Sequence, residues 1–508
     1  MAKSYYITTP IYYINDVPHI GHAYTTCAAD VVARYKRLRG YEVFFLTGVD
    51  EHGQKAQKAA LEQGITPRVL ADRMVPTFTD LWKLLEITNT GFIRTTDEAH
   101  RRVVHHLFQR LEEKGDIYLG EYEDWYCIPC EAYFTELQLK DGKCPDCGRA
   151  VERLKEESYF FRMSKYTDPL LRHLEEHKGF VMPEVRYNEV TSFVKGGLRD
   201  LSISRTTFDW GVPVPGNPKH VVYVWFDALA NYLTGAGFLS DTERFGQFWP
   251  ADAHLIGKDI LRFHAVYWPS FLMAAGLPLP KRIFAHGWWT VNGQKMSKSL
   301  GNVVDPVETA RTYGVDEFRF FLFREVPFGL DGDFSKDAIV GRINGDLAND
   351  YGNLLSRSAN MIGKFQAGRL AGPAGQGGTD GALLERTTAL VSDYEREMEV
   401  FGFSKALSAV FELTALLNRY IDTEAPWRLA KEDTARLATV LHNIWNGVRV
   451  ATLLLHPFMP SKTASAWRAL GMAGDIGRAS FDEERSFYKP GDLSAIDRIP
   501  PLFPRREG

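Results

Sequence analysis

The sequence predicts an α/β architecture in which two separated stretches of chain build one parallel sheet, with an insertion between them and an all-helical region after them. Three observations carry this. Strand and helix signals alternate over residues 1–115; a turn-rich span at 116–224 that holds four cysteines breaks the alternation; and from about residue 341 the pattern is helical to near the end. A chain of 508 residues is too long for one core, and 45% hydrophobic with 24% charged residues is ordinary globular composition, which excludes collagen, coiled coil and wholesale disorder.

Residues 5–13 are β-branched and aromatic and read as a buried strand; residues 20–39 carry small and apolar side chains at helical spacing and stop at Gly40. Residues 41–46 read as the next buried strand, followed by Gly48-Val49-Asp50-Glu51-His52-Gly53 and a Lys/Gln/Ala-rich helix, so ligands are expected at strand ends. After the insertion the alternation resumes at 220–225 and 254–272, which implies that both halves of one sheet flank the insert. The Gly/Ala-rich residues 367–381 read as a loop between helices.

Net charge is -4, with 60 Lys+Arg against 64 Asp+Glu, so a nucleic-acid partner would have to be held by local basic surface. The opening residues lack a basic segment followed by a long apolar one, and no window reaches the roughly 18 apolar residues of a membrane span. A cytoplasmic protein without a membrane partner is expected.

Cys127-Ile128-Pro129-Cys130 and Cys144-Pro145-Asp146-Cys147 are two C-x2-C turns. Each lets two thiolates converge on one ion, and four sulfurs complete a tetrahedron with no open position, so one structural Zn²⁺ is expected in place of disulfides or free thiols. Cys27, inside the first helix, reads as packing.

Two short motifs carry the chemistry. Pro18-His19-Ile20-Gly21-His22 follows the first strand at a helix start, where free N–H groups and the helix dipole favour phosphate, Gly21 admits a nucleotide and two imidazoles can hydrogen-bond it. Asn292-Gly293-Gln294-Lys295-Met296-Ser297-Lys298-Ser299-Leu300-Gly301 places two lysines and two hydroxyls in a Gly-flanked loop suited to polyphosphate. Either alone also fits a capped helix or a solvated basic loop. The HIGH and KMSKS pair, in this order on an alternating fold, resembles class I aminoacyl-tRNA synthetases, and with the modest zinc-bearing insert and helical C-terminal region the chain resembles methionyl-tRNA synthetases over nearly its whole length.

The resemblance implies a Rossmann-type catalytic domain in two halves, 1–115 and 225–290, an inserted connective domain with a zinc knuckle at 116–224, a KMSKS loop and stem-contact region at 291–340, and an α-helical anticodon-binding domain at 341–508. It implies that His19 and His22 act on the α-phosphate side of ATP and Lys295 and Lys298 on the leaving pyrophosphate, with Mg²⁺, while the methionine carboxylate attacks; a hydroxyl of the terminal ribose of tRNA(Met) then takes the methionyl group. Gly21, Gly257, Asp259, His286 and Ser297 fall at further ATP-site positions.

Ile260, His264 and Trp268 are spaced by four, and Trp225, Ala228 and Tyr232 by three and four, so on helices each set lines one face; such stripes are also ordinary core. By resemblance they belong, with Ile11, Tyr13 and Asp50, to a methionine pocket, in which aromatic rings suit a thioether and Asp50 the substrate ammonium. Leu229 stands where some family members carry proline. Asn353 and Arg357, one helical turn apart, and Trp427, after Pro426, resemble the residues with which the family reads the CAU anticodon; a capping pair and a core tryptophan are the plainer alternative. Competing readings are a class I synthetase for another apolar amino acid, whose editing insertion would not fit here, a small adenylyltransferase, and a catalytically silent tRNA-binding relative. The C-terminal end leaves no room for an appended dimerisation module, so a monomer is expected.

Overall fold

The computed structural model describes residues 3–130, 132–134, 136–291, 293–296, 302–488, 496 and 501–507. Six strands lie side by side in the order Gly91–Arg94, Glu42–Asp50, Ser4–Tyr13, Ala253–Gly257, Ile283–His286 and Val181–Met182, every neighbouring pair parallel. The central strands are buried on both faces, which is why they read as continuous apolar runs without alternation. From the junction of Ser4–Tyr13 and Ala253–Gly257 the chain order runs outward in opposite directions, apart from the edge strand Val181–Met182, which is earlier in the chain, so the carboxyl ends of these two strands form the switch point at which ligands bind in such sheets.

Pro10 lies in the first strand and cannot donate to the ladder. Register with Glu42–Asp50 slips between Thr8↔Leu46 and Ile11↔Gly48, a one-residue bulge that re-aims Ile11 and Tyr13. The strand Glu42–Asp50 outruns the expected residues 41–46 and carries Asp50 to its carboxyl end.

The insertion is built on a long antiparallel hairpin, Ile117–Cys127 with Glu152–Phe161, to whose far end Ala132–Phe134 adds a third strand. Two features differ from the sequence reading. Val181–Met182, within the insertion, joins the main sheet as its edge, and a two-residue strand has no periodicity to betray it. Residues 220–222 belong instead to a small antiparallel sheet of Asn217–Val222, Pro213–Val214 and Ser204–Arg205, so the second half of the main sheet begins at Ala253.

The C-terminal helices Asn353–Gln366, Asp380–Glu399, Phe403–Glu424, Thr434–Leu455 and Pro460–Ala469 share one apolar core with the first helix, Ile20–Leu38. Arg319 is wholly buried at this junction. Its guanidinium reaches Asp30 Oδ2 at 2.7 Å, the Leu85 carbonyl at 2.9 Å and the Pro457 and Phe458 carbonyls at 3.0 and 3.1 Å, tying the sheet half to the helical half. Among the described residues no helix is long and apolar enough to cross a membrane.

Candidate active site

A cavity of about 1020 Å³ opens at the switch point. It gathers residues from both sheet halves: Ile11 and Tyr13 from the bulged strand, His19, Gly21 and His22 from the first helix start, Asp50 from the second strand end, Trp225, Ala228, Leu229 and Tyr232, and Gly257, Asp259, Ile260, His264 and His286.

The two motif histidines cap their own helix. Gly21 N–H donates to His19 Nδ1 at 3.1 Å and His19 N–H to His22 Nδ1 at 3.0 Å. With both Nδ1 atoms accepting, each neutral ring must carry its proton on Nε2, leaving two N–H donors. Removal from water pushes both rings below the ordinary histidine range, His22 further because His19 adds to it with ring centroids 4.0 Å apart. A Cβ at position 21 would stand 2.9 Å from the His19 ring and push it out of its capping position, so glycine keeps that ring in place. The later motif meets the first: Ile20 N–H donates to the Val304 carbonyl at 3.3 Å, and Met296, Val303 and Asp305 line the same cavity. Ser297 and Lys298 lie outside the described residues, as does the side chain of Lys295.

The opposite wall is aromatic. Trp225 stacks on Phe263 with centroids 3.7 Å apart and planes 3° from parallel, and Tyr13 meets Trp225 edge-on at 6.5 Å. His264 Nδ1 is 3.0 Å from the Ile260 carbonyl and must donate to it, so Nε2 accepts from the Tyr232 hydroxyl 2.8 Å away. Burial lowers His264 to about 4, consistent with a neutral acceptor.

Trp268 does not line this cavity. It is buried behind Tyr232, 6.0 Å between centroids, and packs on Trp249. The reason is a π-helical turn, Phe263–Tyr267, between Ile260 and Trp268: a wider turn carries a residue four positions on off the shared face. A signal that sequence reasoning missed is His254, which hydrogen-bonds Thr8 at 2.7 Å and stacks under Tyr232 at 4.1 Å. Another is Thr25, whose hydroxyl lies 2.6 Å from His286 Nε2; since His286 Nδ1 donates to the Gly287 carbonyl at 2.8 Å, Thr25 is the donor. Both are polar residues within otherwise apolar runs, which is the mark that could have found them.

At the exposed end of the site Asp259 accepts from the Trp288 indole at 3.1 Å, close over Gly257, where a Cβ would meet its Oδ1 at 2.5 Å.

Far along the chain, the four cysteine sulfurs of the insertion lie within 4.8 Å of one another, with Cys127–Cys147 at 3.5 Å and Cys130–Cys144 at 3.7 Å. A tetrahedron with metal–sulfur bonds of about 2.3 Å has edges of roughly 3.8 Å, so the donor set fits a thiolate-bound metal ion. In the helical region Asn353 is exposed, and Arg357 reaches Asn418 Oδ1 and Asp422 Oδ1, both at 3.3 Å. Trp427 is 51% exposed and so is no core residue.

The family model "tRNA synthetases class I (M)" matches residues 5–154 and 138–359, and "Anticodon binding domain of methionyl tRNA ligase" matches residues 372–487. The chain is 53% identical to a methionine–tRNA ligase of Caldanaerobacter subterraneus subsp. tengcongensis over 99% of its own length and 79% of that protein, and 49% identical to that of Bacillus subtilis over 99% and 78%. It superposes on the methionyl-tRNA synthetase of Mycobacterium tuberculosis in complex with methionyl-adenylate with a TM-score of 0.94 and 47% identity, covering 99% of this chain and all of that one. A nucleotide-ready helix start, an aromatic pocket and a helical domain matched along nearly the whole length place the chain in the methionyl-tRNA synthetase family of class I aminoacyl-tRNA synthetases.

Proposed function

We propose that this protein activates L-methionine with ATP, forming methionyl-adenylate and pyrophosphate, and transfers the methionyl group to the terminal adenosine of tRNA(Met). The observation that carries the reading is one cavity that joins two imidazole N–H donors at a helix start to a buried carboxylate and a thioether-sized aromatic wall. His19 and His22 donate from Nε2 to the phosphate as charge builds on it, and neutral rings do so without deprotonation elsewhere. Gly21 and Gly257 let the nucleotide approach the backbone, with Asp259 and His286 beside it. Lys295, Ser297 and Lys298 hold the leaving pyrophosphate, where Mg²⁺ arriving with ATP would supply further charge neutralisation.

Asp50 holds the methionine ammonium, while Ile11, Tyr13, Trp225, Ala228, Tyr232, Ile260 and His264 enclose the thioether. Trp268 contributes as the backing of Tyr232. Cys127, Cys130, Cys144 and Cys147 hold one structural Zn²⁺, which closes the tip of the insertion and takes no part in the chemistry. Asn353, Arg357 and Trp427 read the anticodon. We assign this activity to a monomer in the cytoplasm.

Charging of a tRNA(Met) transcript tests the reading: methionine should be esterified to a transcript with anticodon CAU and at least tenfold more slowly when that anticodon is changed. Indifference to the anticodon would contradict it.

A further inference from the structure

Behind the aromatic wall lies a fully buried carboxylate that the chemistry above does not use. Asp227 sits in the short helix Val224–Leu229, whose other members are all apolar. His52 Nδ1 stands 2.7 Å from its Oδ2 and His100 Nε2 2.8 Å from its Oδ1, so each oxygen accepts from one ring. Burial raises the carboxyl, and the two rings reverse this and hold it at about 2. An ionised carboxylate sealed from water is costly unless it is fully paired, so its place in an apolar helix calls for a reason.

The connections supply one. His52 follows Asp50 by two residues at the end of Glu42–Asp50, and Asp227 lies between Trp225 and Ala228. His100 comes from a third element, Glu98–Glu113, and its other nitrogen is 3.1 Å from the hydroxyl of Thr234, on the helix that carries Tyr232. The strand end is braced from outside too: Trp210 packs edge-on against His52 at 5.5 Å, its indole N–H donates to the Glu51 carbonyl at 2.5 Å, and the Glu51 carboxylate holds Arg94 at 2.7 Å. Neither His52 nor Asp227 lines the cavity.

We propose that Asp227 is a positioning residue for the amino acid: through His52 it fixes the distance between Asp50 and the Trp225–Ala228 wall, so that the ammonium and the thioether are engaged together. The inference rests on the methionine reading and adds to it a specificity device outside the pocket.

Methionine-dependent ATP–pyrophosphate exchange tests it. Asp227→Asn keeps the shape but turns one acceptor into a donor, breaking one of the two joints. The methionine KM should rise at least tenfold, with the ATP KM within twofold and kcat at saturating methionine within threefold, a split that general loosening would not produce. Should Asp227→Asn fail to fold, His52→Leu should show the same split and His52→Asn, whose amide N–H stands where Nδ1–H stood, should largely restore the methionine KM. An unchanged methionine KM, an equal rise in both KM values, or His52→Asn as impaired as His52→Leu would overturn the proposal. Failure of the wild-type protein to exchange with methionine would instead overturn the functional reading.

Discussion

His264 shows how one buried proton sets a pocket wall. Its Nε2 accepts from Tyr232 only while the ring is neutral, and its value of about 4 lies below the roughly 6.5 of an unfolded histidine. The unfolded chain therefore takes up the proton first as pH falls. The stability tied to this ring is complete above about pH 6.5 and lost as pH drops toward 4, about 3 kcal/mol in all. Melting temperature against pH should fall less steeply between 6.5 and 4 in His264→Gln than in the wild type; parallel curves would mean that His264 is not held neutral by the fold. At this scale the sequence pointed to side chains that the fold does bring together, His19, His22 and Asp50 at one cavity and the four cysteines in one cluster. It misled at Trp268, because a π-turn changes which residues share a face and nothing in the spacing announces it.

Among the elements, the cysteine knuckle and the helical pair can each be tested separately. Cys144→Ser removes one of four thiolates, so zinc measured by atomic emission should fall below one per chain and the insertion should become more sensitive to protease; full zinc occupancy would contradict a four-sulfur site. Trp427 is half exposed just past the helix Phe403–Glu424, whose Asp422 engages Arg357. Trp427→Ala should therefore leave melting and ATP–pyrophosphate exchange near wild type and cut charging of tRNA(Met) at least tenfold, as loss of a base stack worth roughly 1 to 3 kcal/mol implies. Equal loss of exchange and charging would mean that Trp427 serves the fold. The strands expected at 5–13 and 41–46 were legible because burial on both faces writes a largely apolar run, although the second extends to Asp50. Val181–Met182 was not, since two residues carry no pattern and long-range pairing alone makes them a strand.

For the whole molecule, Arg319 is the joint between the half that holds the cavity and the half matched to the anticodon domain. Arg319→Met leaves Asp30 paired to Arg34 and Thr88 but strips the buried Leu85, Pro457 and Phe458 carbonyls of their donor, and should cost roughly 1 to 3 kcal/mol in denaturant unfolding. Charging should suffer more than exchange, because only charging needs both halves in register; equal losses would show that the joint serves folding alone. The alternation of strands and helices announced the two-part sheet, whereas the shared core between Ile20–Leu38 and the C-terminal helices depends on contacts across hundreds of residues that periodicity does not encode. The measurement that bears most directly on the central claim is ATP–pyrophosphate exchange with each amino acid in turn. The cavity predicts exchange with methionine and weaker exchange with homocysteine, since one methylene is worth only about 1 to 3 kcal/mol, and none of consequence with leucine, isoleucine or valine. Exchange driven best by another amino acid, or by none, would contradict it.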